Sequence, residues 1–437
     1  MNPVSRRQVL ALSAGAAATA GLEGILVAGR GPAYAQGTRL HLLQWSHFIP
    51  AADTVFASQA KEFGKQAGVD IQIERINQND LQTRATAAIQ SGAGPDIIIL
   101  ANNHPHLYET SLVDVSDVAE DIGGKQGGWY DYAKVNCVAG SRWIGVPQFI
   151  ISWAITYRED WFKEAGFEYP KSWDDFRKVG RAMKAKGRPF GQAFGHSIND
   201  PNNWCYPLVW MWGGMEVRAD GRAVVLNSKN TVEAVKFNNT LWKEVFDEGG
   251  LAWDDSNNNR AFLSGDICAS LNGASIYVAA LNGADKFKTE KGAPLHTDIL
   301  HAPLPAGPKG QYAYHTAFTH MVMKYSKNAK AAKEFLRWAH KKDNYEKWFV
   351  VQKGFAVGPT RDWENHSMWK NDPVMLPFKA ATRQGRPMGF AGAPGKQSAE
   401  AWNKYIIVDM YAQAASGKMK PEESVKWAAG ELRKIYT

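Results

Sequence analysis

Ser91-Gly92-Ala93-Gly94-Pro95-Asp96-Ile97-Ile98-Ile99-Leu100 is the stretch whose reading decides the fold. Two glycines and a proline break the periodic segment before it, and an acid then leads straight into four apolar residues. A run this short and this uniformly apolar is the kind of strand buried on both faces of a parallel sheet. Upstream, Arg39 to Trp45 reads as another buried strand, and Phe56, Ala60, Phe63 and Ala67 recur at helical spacing. Ile71 and Ile73 alternate as in a strand, and a helix is expected around Asn79 to Gln90. Strand, helix, strand, helix, strand argues for an open α/β sheet, in which ligands sit at the carboxyl ends of strands. The loops Ser46-His47-Phe48 and Asn102-Asn103-His104 are therefore the first places to look for function.

The chain has 437 residues, which favours two lobes over one core. With 45% apolar and 22% charged residues it is neither disordered nor collagenous nor disulfide-dense. Ser5-Arg6-Arg7-Gln8-Val9-Leu10, a weakly apolar Ala- and Gly-rich stretch, and Ala33-Tyr34-Ala35 before Gln36 read as an export signal over residues 1–35. Its paired arginines resemble a twin-arginine signal. No later segment has the uncharged apolar length of a membrane span. Cleavage would remove Arg6, Arg7, Arg30 and Glu23, so the formal charge falls from +8 to +6. A periplasmic protein without lipid anchor is expected, with Cys137, Cys205 and Cys268 reduced and structural.

Gly145-Val146-Pro147-Gln148 precedes an apolar run to Tyr157, the chain changes character around Trp161 to Trp173, where a passage between lobes is expected, and the Pro- and Gly-rich segment from Ile299 to Gly310 marks a second. Ser172 with Asp175 opens a helix by a capping box, with Phe176, Val179 and Met183 inward. The opposite face carries Arg177, Lys178, Arg181, Lys184, Lys186 and Arg188, the densest basic run in the chain. On one amphipathic helix with no base-stacking motif, this is read as a solvated face, not a nucleic-acid patch. Helices are also expected from about Ala329 to His340 and from Pro421.

The order of these landmarks resembles the family 1 extracellular solute-binding proteins, the maltose-binding-like receptors of ABC importers. The resemblance rests on Ser91 to Asp96, on Gly145-Val146-Pro147, on Tyr157-Arg158-Glu159-Asp160-Trp161-Phe162-Lys163-Glu164-Ala165-Gly166, and on Pro170 to Phe176. Phe262-Leu263-Ser264-Gly265-Asp266 with Asn272-Gly273, Ser326-Lys327-Asn328 with Glu334-Phe335-Leu336, and Gly354 with Pro359 continue it. Arg158 stands where the family usually has Asn. The resemblance implies a two-lobed periplasmic-binding-protein fold, each lobe an open sheet flanked by helices, joined by crossing hinge strands and closing on ligand. One lobe is expected over residues 36–148 plus about 305–358, the other over 149–304 plus about 359–437.

A polyhydroxyl ligand needs flat aromatic platforms together with amides, carboxylates and hydroxyls. The expected ligand set is Trp45, Ser46, His47, Asn102 and Asn103 on the first lobe, Asn203, Trp204, Trp253, Asp254 and Asn272 on the second, and His315 and Thr316 beyond the second crossing. Trp161, Trp173, Trp338 and Trp348 lie in helical patterns and are assigned to packing, and the asparagines at 199, 202 and 203 also suit a turn around Pro201. The chain contains no G-x-S-x-G, no phosphate-binding glycine loop ending in Gly-Lys-Ser/Thr, no H-E-x-x-H and no dinucleotide-binding glycine pattern. His104 and His106, flanking Pro105, are read as loop packing instead of a metal pair. The expectation is a monomeric receptor without cofactor that hands a sugar or polyol to ABC permease subunits. The alternatives are a charged solute, polyamine or organic phosphate, in the same fold, and a secreted carbohydrate-active enzyme.

Overall fold

The computed structural model describes residues 37–437; the export signal read at residues 1–35 lies outside them. Two sheets organise the chain. The first contains β1 (Arg39–Trp45), β2 (Asp70–Ile76), β3 (Ile97–Ala101), β6 (Val146–Ile151) and β11 (Thr316–Val322), in the order β2-β1-β3-β11-β6. β4 (Val138–Ala139) and β5 (Arg142–Trp143) form a separate small ribbon. The second sheet contains β7 (Ala154–Arg158), β8 (Phe190–Gly191), β9 (Ala269–Asn272) and β10 (Ile299–Ala302), in the order β10-β7-β9-β8. β1 pairs in parallel with both β2 and β3, as the alternating pattern requires, whereas β11 runs antiparallel to β3 and β6.

Each sheet with its helices is a lobe, and the first crossing comes before the change of character at Trp161 to Trp173. β6 passes to β7 through Ser152 and Trp153 alone, and β10 returns to β11 through the Pro303 to His315 segment. A third passage follows the helix Lys342–Val350, and the late helices Ile406–Ala415 and Pro421–Arg433 pack against the second-lobe helix Lys229–Glu244.

The stretch that decides the fold also holds it together. Gly92 (φ 66°) ends the helix Leu81–Ser91 in the left-handed conformation, and a Cβ on Gly94 (φ 141°) would meet the Ala88 Cβ at 2.9 Å. Asp96 accepts a hydrogen bond from the His41 N–H of β1 (2.8 Å) and another from the Ser326 hydroxyl (2.5 Å), tying β3 to its neighbour and to the segment after β11. The four positions read on the first helix, Phe56, Ala60, Phe63 and Ala67, are all buried on the inner face of Pro50–Ala67. The second helix starts at Leu81, two residues later than its periodicity suggests. The Asn77 side chain caps the Asn79 N–H and winds Gln78–Asp80 into a 3-10 turn.

Ser172 caps the helix Trp173–Ala185, accepting from the Asp175 N–H at 3.1 Å. The helix ends at Ala185, leaving Lys186 and Arg188 of the basic run beyond it, and the run meets acids of its own lobe: Arg177 pairs with Glu244 (2.6 Å), Lys184 with Glu248 (2.7 Å) and Arg188 with Glu164 (3.0 Å). Much of its charge is spent inside the lobe. The three cysteines are free and buried.

Arg158, the departure noted at the end of β7, is 2% exposed. It forks onto Asp160 (2.8 and 2.7 Å), reaches Glu290 (2.9 Å), and lies 3.9 Å from the centre of the Trp161 ring. A bidentate, stacked guanidinium with two carboxylates is well compensated. Asp160 and Glu290 keep contact with solvent, so Arg158→Ala should cost about 2 kcal/mol, read as a lowered unfolding midpoint, without abolishing folding.

Candidate functional site

The crossings create a cleft whose walls come from both lobes. From the first lobe come Phe48, in the loop after β1, and Phe355; Trp153 sits on the two-residue link between β6 and β7. From the second come Asn199 and Asp200 at the start of the helix Asp200–Met211, Asp255, and Asn272 with Ser275 beyond β9. These line a narrow cavity of about 10 Å³, where the two walls nearly meet. A neighbouring cavity, also of about 10 Å³, is lined by Asn203, Gln311, Tyr312 and Tyr314, and Trp153 contributes to both. Aromatic surface beside a few convergent polar groups is the usual make-up of a small-molecule site.

Asp255 organises the second-lobe wall. One carboxylate oxygen accepts from the Ser197 hydroxyl (2.6 Å) and the Asp200 N–H (2.8 Å). The other accepts from the Asn199 N–H (3.2 Å) and side-chain amide (3.0 Å), and from the Gln78 amide of the first lobe (2.8 Å). Burial pushes its carboxyl up to about 6 even though these donors oppose the shift. Asp200, also buried, is held well above the ordinary carboxylate range by desolvation and by Asp255 beside it. The lobes touch here at three further points: the Ile198 N–H donates to the Asn79 side chain (3.2 Å), the Thr316 hydroxyl donates to the Asn199 side chain (3.0 Å), and the Asn203 amide donates to the Thr316 hydroxyl (3.5 Å).

Of the residues expected to form the site, Asn203 and Asn272 line these pockets and Thr316 joins the two lobes beside them. The others are placed elsewhere. Trp45 is in the first-lobe core, stacked on Phe318 at 4.7 Å. His47 is enclosed by Trp45, Phe149, Trp348 and Phe355, and burial pushes it down to about 3, so it backs the wall as a neutral ring. Ser46 is exposed, with its N–H bonded to the Ile76 carbonyl. Asn102 takes a left-handed conformation (φ 49°) and uses both ends of its amide, on the Ala317 N–H and the Tyr314 hydroxyl. Asn103 donates to Ser398 (2.7 Å).

The second-lobe tryptophans are likewise packed within the protein. Trp204 is fully buried, its indole N–H on Asn238 (2.8 Å) and its ring against Trp173 and Phe246. Trp253 lies over Gly191, Gly195 and Gly249, whose missing side chains make room for it. Asp254 is exposed and turns the chain by accepting from Ser256 (2.8 Å). His315 is buried, Nε2 meeting the Ala381 carbonyl at 2.8 Å. Asn202 and Asn203 sit in the first turns of a helix, with Pro201 at its start instead of in a loop. His104 packs on Trp402 and His106 bonds to Glu109 and the Val135 carbonyl.

Sequence reasoning missed Trp153 and Phe355 as pocket-lining groups, and it settled on Asp254 where Asp255 lines the pocket. Trp153 lies inside an apolar run that reads as one strand, and only the break between two sheets turns it toward the cleft. Asp255 adjoins the acid that was chosen, on the opposite side of the turn.

Two α/β lobes joined by crossing strands, with a mixed aromatic and polar pocket at the crossing, define a two-lobed binding protein. The chain belongs to the bacterial extracellular solute-binding protein family, whose sequence pattern matches residues 50–346. Its architecture is similar to that of the maltose-bound MalE3 of T. maritima, with a TM-score of 0.76 and 17% identity over 91% of this chain and 100% of the other. It is also similar to an ABC transporter solute-binding protein of Thermotoga lettingae bound with α-D-tagatose (TM-score 0.78, 16% identity, 92% and 100% covered). An ABC transporter solute-binding protein of Agrobacterium radiobacter in complex with ribitol gives 0.71 at 16% identity, with 92% and 99% covered. No curated protein sequence matches the chain.

Proposed function

We propose that this protein is a periplasmic receptor that captures a sugar or polyol between its lobes and delivers it to the transmembrane subunits of an ABC importer. The observation that carries this reading is the interlobe pocket, where Trp153 stands between aromatic and hydrogen-bonding walls supplied by both lobes. Apolar C–H faces of a sugar suit the rings, and its hydroxyls suit the amides and carboxylates. Structural relatives that bind maltose, tagatose and ribitol support the ligand class. The first lobe comprises residues 37–151 plus about 305–358 and the second 154–304 plus about 359–437, the boundary expected at 148 moving to the end of β6. The protein acts as a monomer, exported by a twin-arginine signal, and releases its ligand unchanged.

The test is a panel of sugars and polyols read by intrinsic fluorescence and thermal stability. One member should shift both, because a ligand that binds only the folded protein raises its stability by mass action. Silence across the panel, or turnover of a glycoside, would sink the reading. Trp153→Ala should weaken binding of the responding member by about 2 kcal/mol, roughly 30-fold, as titration calorimetry would register.

A further inference from the structure

The buried polar atoms left over around the cleft are mostly acceptors. Asn203 spends its amide N–H on the Asn199 carbonyl (2.7 Å) and Gln78 spends its own on Asp255 (2.8 Å), which leaves both amide oxygens buried and unpartnered. Among the described residues lining the two pockets, the one buried donor without a partner is the Trp153 indole N–H. Asp255 is saturated by its donors, but Asp200 is not. The Asp200 side chain lines the same pocket, is 2% exposed, and has its Oδ2 atom buried with no partner. It stands in the first turn of a twelve-residue helix, where the macrodipole favours a negative charge.

The charges around this carboxylate do not offset it. Asp255 and Asp254 are the charged groups that act on it, both acids, and no Lys or Arg lines either pocket among the described residues. Arg386 lies 3.4 Å from the centre of the Tyr312 ring but faces Glu216, which is buried and bonded to the Trp210 indole. With no cation beside it this buried carboxyl retains its proton, and a neutral hydroxyl gives it no charge to ionise against. An ammonium brings three donors, no acceptor and the missing charge, and it is attracted to the faces of aromatic rings such as Trp153, Phe48 and Phe355.

We propose that the solute is a sugar or polyol bearing a protonated amine, with the ammonium seated on Asp200 and the carbon skeleton against Trp153, Phe48 and Phe355. This rests on the sugar or polyol reading and narrows it. Asp255 is the scaffold that holds the Asn199–Asp200 turn in place, and Asp200 is the residue that selects.

The experiment is titration calorimetry of the purified protein with matched pairs: glucose against glucosamine and N-acetylglucosamine, and sorbitol against glucamine. The amine member of a pair should bind at least about tenfold more tightly than its uncharged partners, and its affinity should fall as salt rises. Asp200→Asn, close in size, should bring the amine-to-neutral ratio toward one, with thermal melts checking that the variant is folded. The salt series on the unaltered protein stands even where the variant folds poorly. Uncharged members binding as tightly as the amines, or an Asp200→Asn variant that is folded and keeps the preference, would overturn the amine while leaving the sugar or polyol reading intact. No binding by any member of either kind would overturn both.

Discussion

Asp255→Ala should lower stability by about 3 to 5 kcal/mol and reduce solute affinity by at least about 100-fold. The carboxylate is 5% exposed and collects donors from Ser197, Asn199, Asp200 and, across the cleft, Gln78. Alanine leaves each of them buried without an acceptor, and stranded donors cost more than the bonds themselves were worth. Affinity falls with stability because the turn from Ser197 to Asp200, which presents Asn199 and Asp200 to the pocket, hangs on this side chain. Asp255→Asn should fall between the two, since one oxygen remains while an NH2 faces donors. Thermal denaturation and titration calorimetry check both. A loss below about 1 kcal/mol with binding intact would show that the turn holds itself.

Acidification from pH 7 to pH 5 should lower the unfolding temperature by about 10 °C. Burial holds His47, His104, His301 and His320 down at about 3 and His315 at about 4, and it also lowers His340. Unfolded, these imidazoles bind protons below their ordinary value of 6.5, while the native state does not. Each therefore costs about 1.4 kcal/mol per pH unit below 6.5. Buried carboxyls act in the opposite sense. Asp200 is raised well above its usual range, Glu216 to about 7 and Asp255 to about 6, so the native state holds protons that the unfolded chain has released, and these groups favour folding as pH falls. Six imidazoles outnumber three carboxyls, and stability falls on the acid side. His104→Gln and His320→Gln should each flatten the profile between pH 5 and 6.5. A midpoint constant across that range would show that the native state opens enough to protonate these rings.

The scaffold was legible because its signals are local. Strand β1, the inner stripe of the first helix, the Ser172 cap and the glycine stop before β3 each depend on a few neighbouring residues, and all stand where the sequence puts them. The site was much less legible. Trp45 and Trp204 have the composition of ligand platforms, and the same large apolar surface makes them core residues once Phe318 or Phe246 lies against them. Trp253 looked available on a loop, but the glycines it covers are remote in sequence. Asn102 and Asn103 do follow β3, yet their amides satisfy Ala317 and Ser398, more than 200 residues away.

By itself, then, the sequence determined an α/β chain and a solute-binding family pattern, since periodicity, caps and breakers act through nearest neighbours along the backbone. Tertiary structure alone decided which polar groups remain for a ligand. Whether an amide or a carboxylate faces a pocket or fills its bonding capacity inside the protein depends on partners from distant segments. Asp254 and Asp255 show the difference: adjacent and chemically identical, one turns a loop in solvent while the other, bonded to Gln78 across the lobes, builds the wall of the cleft.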